Sequence, residues 1–271
     1  MRYEFIPAAA DSAISHVGTY QRRLPVSLER MYENALDWAH LPHVHSSSFS
    51  DIQLISSGGL GWRAHLFSPG GKESVIELCL DRSRRRWITR NIEGPNAGAE
   101  IWTHVFVVAK QEMDLVIDFF VPGVQAQSRD QVGMAYARQY ERLYDEDVEM
   151  MTERQAQLDL RIDSVGKTDE LSLNVPEQSV LPHLVELSGR QFWLDYFKGR
   201  WVVYPAVCPH QLGPIGGQIN AAGEVTCAWH AYRFDVLSGE CTHGGQCRFP
   251  ELPIVEANGA ALKVFWAKQQ A

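Results

Sequence analysis

The sequence predicts an α+β protein of two domains: a twisted antiparallel sheet gripped by one long helix, then a small all-β domain. Three observations predict it. Six strand-like segments follow one another between residues 51 and 122. An unbroken helical pattern then runs from 127 to 160. After a polar break across 161–178, short alternating strands resume, separated by glycines. The 271 residues suffice for two separate cores. The expected division is a first domain over 1–162, a linker over 163–176 and a second domain over 177–271.

Each element has its own justification. An N-terminal strand precedes a helical segment from Leu28 to Leu41, whose apolar positions are Leu28, Met31, Leu36 and Ala39. Pro42 is expected to end or kink that helix. The strand patterns DIQLISS, GWRAHLFS, SVIELCLD, RRWITRNIE, EIWTHVFVVA and EMDLVIDFFVP follow. Gly58-Gly59-Leu60-Gly61 reads as a hairpin turn between two of them. The basic run Arg82 to Arg86 reads as a solvated turn, with a docking patch for an acidic protein as the other reading. In the long helix, Tyr136, Tyr140, Leu143, Tyr144, Met150, Met151 and Leu158 form one apolar stripe. A sheet with one long closing helix is a helix-grip arrangement, which holds an apolar pocket between its layers. In the second domain LPHLVELSG, RQFWLDYFKG, RWVVYPAVC, EVTCAWH, YRFDVLSG and ALKVFWA read as strands.

Composition narrows the function. With 45% hydrophobic and 21% charged residues the chain reads as an ordinary globular protein. No run of eighteen apolar residues occurs, so no membrane span is expected. MRYEFIPAAADSAISH lacks the pattern of an export signal, which predicts a cytoplasmic location. A net charge of −8 argues against nucleic acid as partner. Five irregularly spaced cysteines read as thiols or metal ligands rather than a disulfide framework.

The strongest chemical signal lies in the second domain. Cys208-Pro209-His210 is followed, after sixteen residues, by Cys227-Ala228-Trp229-His230. Two thiolates and two imidazoles on tight loops can hold zinc tetrahedrally. Each pair is mixed, however, and mixed pairs suit a [2Fe-2S] cluster with both thiolates on one iron and both imidazoles on the other. Gly213 to Gly217 would allow close backbone approach, and Trp229 could shield one side. CPHQLGPIGG and CAWHAYRFDVLSG closely resemble the Rieske domains of non-haem oxygenases and their ferredoxins, over about 95 residues. Leu212 and Ala231 stand where respiratory-chain Rieske proteins carry extra cysteines, so the resemblance is to the soluble oxygenase type. Cys241-Thr242-His243 repeats the Cys-x-His spacing without a completing pair, and Cys241 and Cys247 read as ordinary thiols.

A second constellation sits in NALDWAHLPHVH. Asp37 and His40 are three apart and share a helical face. His45 would diverge from His40 on a straight helix, but a break at Pro42 frees it to turn back. An iron(II) that activates O₂ wants two imidazoles and one carboxylate on one face, which His40 and His45 begin to supply. Helical phase selects the carboxylate: Asp147 lies within the apolar stripe, Asp145 and Glu149 point away, and Glu146 flanks. A carboxylate on an apolar face is costly unless paired or metal-bound, so Asp147 is the expected third ligand. The segment from Glu33 to His45 also resembles the mononuclear-iron motif of Rieske oxygenases, which implies that Asp37 is an electron relay between centres and not a ligand. His43 is left as a pocket or surface residue. On the strand EIWTHVFVVA, Trp102, His104 and Phe106 share a face and are candidate substrate contacts.

The resemblance implies a START-like catalytic domain with mononuclear Fe(II), followed by a Rieske domain, acting as a terminal oxygenase. Such a protein hydroxylates or oxidatively demethylates an apolar or aromatic small molecule with O₂. The sequence shows no dinucleotide-binding turn, so electrons are expected from a separate ferredoxin or NAD(P)H-dependent reductase. The family usually forms head-to-tail trimers, and a closed homo-oligomer is expected. This chain departs from the family in placing its Rieske segment last. The alternative reading is a Rieske electron carrier fused to a non-catalytic ligand-binding domain.

Overall fold

The computed structural model describes residues 14–160, 166–167, 169–175, 177 and 180–267. The chain divides into two compact units at Thr152/Glu153. No helix among the described residues is long and apolar enough to cross a membrane.

The first unit is a seven-stranded antiparallel sheet. Its strands are β1 (Ile14–Leu24), β2 (Asp51–Gly58), β3 (Gly61–Phe67), β4 (Glu73–Asp81), β5 (Arg86–Glu93), β6 (Glu100–Ala109) and β7 (Glu112–Pro122). Their order is β1-β7-β6-β5-β4-β3-β2, so β2 to β7 are successive hairpins and β1 returns to the far edge beside β7. The Arg82–Arg86 run supplies the β4–β5 turn, where Arg85 adopts a left-handed conformation (φ 49°). Arg82 to Arg85 are exposed there, as the solvated-turn reading expects, whereas Arg86 opens β5 and is half-buried over Trp102.

Between β1 and β2 lie helix α1 (Leu28–Leu36), a 3-10 turn (Trp38–His40) and the short helix α2 (Leu41–Val44). Ser27 caps α1, accepting from the Arg30 amide at 3.3 Å. The helix stops at Leu36, five residues before the expected end, with Asp37 as its C-cap. Pro42 does not terminate it: Pro42 occupies the first turn of α2, where a missing N–H costs nothing. The buried Trp62 indole donates to the Ala35 carbonyl at 2.9 Å, fixing α1 over the sheet.

Helix α3 (Arg129–Asp159) follows β7. Tyr144 and Met151 of α3 join the core with Leu78, Leu80, Ile101, Leu115 and Phe119 from the sheet. Alternation on β7 is complete, with Met113, Leu115, Ile117 and Phe119 all fully buried. Gly133 sets how closely α3 approaches β1: a Cβ there would lie 2.2 Å from the Val17 carbonyl oxygen.

Among the described residues, the second unit contains three small sheets. One pairs β9 (His183–Leu187), β10 (Arg190–Phe197) and β11 (Arg200–Pro205); another pairs β12 (Glu224–Thr226), β13 (Arg233–Asp235) and β14 (Cys241–His243). The third pairs β15 (Ile254–Asn258), β16 (Ala261–Phe265) and β8 (Glu170–Asn174). Strand β8 falls inside the expected linker. It is structured because Leu171 and Leu173 pair opposite Val264 and Leu262, and all four pack into the core around Phe192 and Trp266. The unit division also comes earlier than the expected 162. In the second unit the Arg154 guanidinium donates to the Gln211 carbonyl at 2.8 Å, so the last turns of α3 belong to it.

Candidate metal centre

Three buried side chains from two distant segments meet in the first unit. His40 closes the 3-10 turn, His45 is the C-cap of α2, and Asp147 faces inward from α3. On an uninterrupted helix two residues five apart point about 140° away from each other. The change from 3-10 turn to α2 removes that divergence, and the Nε2 atoms of His40 and His45 stand 3.3 Å apart. Asp147 Oδ1 lies 3.0 Å from His45 Nε2 and 3.4 Å from His40 Nε2. One ligand atom from each of the three falls within 4.8 Å of the others, a set able to hold a metal ion. Two imidazoles and one carboxylate are the donors that octahedral iron(II) accepts on one face.

The outer contacts fix which nitrogen faces inward. The Nδ1 of His45 lies 2.6 Å from Glu146 Oε2. The Nδ1 of His40 has Asp37 Oδ2 at 3.7 Å, an ion-pair rather than a hydrogen-bond distance. Each ring thus turns Nε2 toward Asp147 and its other nitrogen toward a carboxylate, as metal-ligating histidines do. Asn34 donates to Asp147 Oδ1 at 2.8 Å. Burial would depress the His40 imidazolium, but its contacts with Asp147 and Asp37 outweigh this and raise the group to about 10. Burial likewise opposes ionisation of Asp147, yet His40 and His45 hold its carboxyl well below the usual carboxylate range. The triad is therefore an ionised acid against a basic imidazole, an arrangement whose proton a divalent cation could replace.

The structure brings His40, His45, Asp147 and Asp37 together and leaves His43 on the surface. Glu146 and Asn34 complete the surroundings. Helical phase left Glu146 at the flank of the stripe, and only the position of His45 gives it a role. Beside the triad lies a cavity of about 190 Å³, walled by Trp62, Trp87 and Ile101 of the sheet and Tyr140 and Tyr144 of α3. Its wall is mixed, with Asn34, Asn91, Asn96 and Gln139 set among the aromatic rings.

Trp102, His104 and Phe106 do not line that cavity. They occupy the opposite face of β6, whose inward residues are Ile101, Thr103 and Val105. The outer face carries its own apolar and charged layer, which made the parity ambiguous. Trp102 donates to Glu100 at 2.9 Å and lies under the Arg86 guanidinium at 4.9 Å, while Phe106 is exposed. The inward residue of the neighbouring β5, Trp87, is the aromatic wall that the prediction sought on β6.

In the second unit the two Cys/His loops share a backbone design. The Leu212 amide donates to the Cys208 carbonyl at 3.0 Å, and the Ala231 amide to the Cys227 carbonyl at 3.1 Å. Leu212 and Ala231 both take positive φ, 64° and 52°. Cys208, Cys227 and His230 are buried, whereas His210 is exposed. The two imidazole centroids lie 4.8 Å apart. The two thiols share a hydrogen bond in which Cys208 keeps its proton, raised by that bond and by burial, and Cys227 is correspondingly lowered. A Cβ on Gly213 would come within 2.5 Å of the Trp229 ring, so that glycine lets one loop close over the indole. Paired thiols on one side and paired imidazoles on the other fit the donor set of a Rieske [2Fe-2S] cluster.

Comparison with known proteins agrees with the loops. Residues 164–254 match the family model described as the Rieske [2Fe-2S] domain. No match was found among curated proteins. Among solved structures, a norcoclaurine synthase from Thalictrum flavum, in complex with dopamine and hydroxybenzaldehyde, is 16% identical at a TM-score of 0.40. That match covers 52% of this chain and 86% of the synthase. A START superfamily protein from Mycobacterium smegmatis is 10% identical at a TM-score of 0.39, covering 51% of this chain and 97% of the other. The helix-grip arrangement is seen in this chain's own strand order and closing helix. Over residues 164–254, the chain carries a Rieske [2Fe-2S] domain.

Proposed function

We propose that the protein is a Rieske-type non-haem iron oxygenase. It would hydroxylate, or oxidatively demethylate, a small apolar or aromatic molecule with O₂, using electrons from a separate ferredoxin or reductase. The observation that carries the reading is the convergence of His40, His45 and Asp147 beside a cavity walled in part by aromatic rings, in a chain that also has a Rieske domain. Cys208, His210, Cys227 and His230 would hold the [2Fe-2S] cluster, and His40, His45 and Asp147 a mononuclear Fe(II). When bound, these groups would supply one-electron transfer and oxygen activation respectively. The residues themselves do the positioning. Glu146 fixes the tautomer of His45, Asn34 fixes the Asp147 carboxylate, and Asp37, behind His40, would be the electron relay. Trp62 and Trp87 exclude water and orient an apolar substrate against the triad.

Metal content tests the reading. The holoprotein should contain about three irons and two acid-labile sulfides per chain. Asp147→Ala should lower iron to about two while leaving the visible absorption of the cluster intact. A wild-type protein with only two irons would support a non-catalytic electron carrier instead. Substrate turnover with a surrogate reductase then names the reaction.

A further inference from the structure

Cys241, which repeats the Cys-x-His spacing without completing a cage, has a second cysteine, Cys247, six residues on. Glu240 and Arg248 form an antiparallel bridge, which sets Cys241 directly opposite Cys247. The Cys241 amide donates to the Cys247 carbonyl at 3.2 Å. Residues so opposed stand about 4.5–5.5 Å apart at Cα, inside the roughly 4.4–6.8 Å that a disulfide bridges. The Cys241 thiol donates to the His243 carbonyl at 3.2 Å, burial and the neighbouring Cys241 push the Cys247 thiol up, and both cysteines are half-buried, within reach of a small oxidant.

The segment between them touches the cluster loops. Gly244 adopts φ 113°, and a Cβ there would lie 2.3 Å from Tyr232 Cδ1; one on Gly245 would lie 3.0 Å from the Tyr232 hydroxyl. Tyr232 in turn stacks on His210, with centroids 4.4 Å apart and planes 11° from parallel. His210 is the exposed member of the four cluster residues. The order of contact is therefore dithiol, glycine turn, tyrosine ring, exposed imidazole.

We propose that Cys241 and Cys247 are a peroxide-sensitive dithiol whose disulfide clamps the Gly244–Gly245 turn over Tyr232 and shields His210. One thiolate attacks hydrogen peroxide: an S–O bond forms, the O–O bond breaks, and hydroxide leaves. The second thiolate attacks the resulting sulfenic sulfur, forming the S–S bond and releasing the oxygen as hydroxide. The net change is two thiols and one peroxide to one disulfide and two waters. Both electrons come from the thiols, and the cluster keeps its own. Neither step depends on the oxygenase reading, since both need only the Rieske domain.

The test uses holoprotein with its cluster verified by visible absorption. It is treated with a few equivalents of hydrogen peroxide, quenched with iodoacetamide and digested with trypsin without reductant. The expected product is the peptide from Phe234 to Arg248, lighter by two hydrogens and resistant to alkylation. Cys241→Ser should abolish that product. The disulfide form should then lose its cluster to an iron chelator at least about twofold more slowly than the Cys241→Ser/Cys247→Ser double variant treated identically, because the tied turn opens less often. Full alkylation of both cysteines at peroxide doses that already bleach the cluster would overturn the proposal. So would equal bleaching rates in the disulfide and double-serine forms.

Discussion

Glu146 offers the sharpest separation between a ligand and a residue that only aims one. Its Oε2 lies 2.6 Å from the Nδ1 of His45 and its side chain is 30% exposed. A hydrogen bond to a charged group contributes about 1.5–3 kcal/mol; partial exposure places this one in the lower half. Converted at about 1.4 kcal/mol per decade, that is a loss of about 10- to 40-fold in metal affinity for Glu146→Ala, within the span seen for such outer partners. Glu146→Gln keeps an acceptor at the same place and should recover most of the loss. The assay is equilibrium competition for Fe(II), or for Co(II) as an air-stable probe, against a chelator of known affinity, with cluster absorption as internal control. Unchanged affinity in Glu146→Ala would refute the argument. A loss as complete as that of Asp147→Ala, with Glu146→Gln equally impaired, would refute it from the other side by making Glu146 a ligand.

Three further outcomes follow from the geometry. Asp37→Asn should leave iron and sulfide contents unchanged but slow reduction-dependent turnover by at least about 10-fold, measured with a surrogate reductase; reduced iron content would make Asp37 a structural ligand support instead. Gly133→Ala forces a Cβ against the Val17 carbonyl oxygen, and overpacking of about 1–3 kcal/mol should lower the melting temperature by several degrees in a thermal scan. Cys79 is buried, and burial with Glu77 beside it pushes its thiol up to about 12. A raised thiol pKa means protonation below that value, so at pH 8 roughly one molecule in ten thousand carries the thiolate. Iodoacetamide at pH 8 should therefore spare Cys79 in the native protein, and labelling of Cys79 would show that its burial is breached.

Most of the strand framework was legible because its alternation is strong. On β7 the inward series Met113 to Phe119 has no polar member, and its outward series has two aspartates. The paired Cys/His loops of the second unit were legible because spacing within tight turns is a local property. Two features were not. Pro42 reads as a stop from its own preference, but the chain had already broken at Asp37, and proline fits a first turn equally well. Strand β6 is apolar on both faces, so periodicity alone could not say whether Trp102 or Ile101 faces the helix; the salt-linked layer of Arg90 and Glu100 on the outer face decided it. The role of Glu146 depended on where α2 sits against α3, which no window of sequence contains. Asp147, in contrast, announced itself as a carboxylate within an apolar stripe.

The wide separation of the triad along the chain has a thermodynamic consequence. His45 and Asp147 are 102 residues apart in sequence. An ion held by both would close nearly the whole sheet into one covalent-like ring, removing loop entropy from the unfolded chain in the manner of a cross-link. Because only the folded unit presents the three ligands together, stability of that unit would rise with the logarithm of free metal concentration once it exceeds the dissociation constant. The same three side chains that would set reactivity would thus make the lifetime of the fold a readout of the surrounding iron supply.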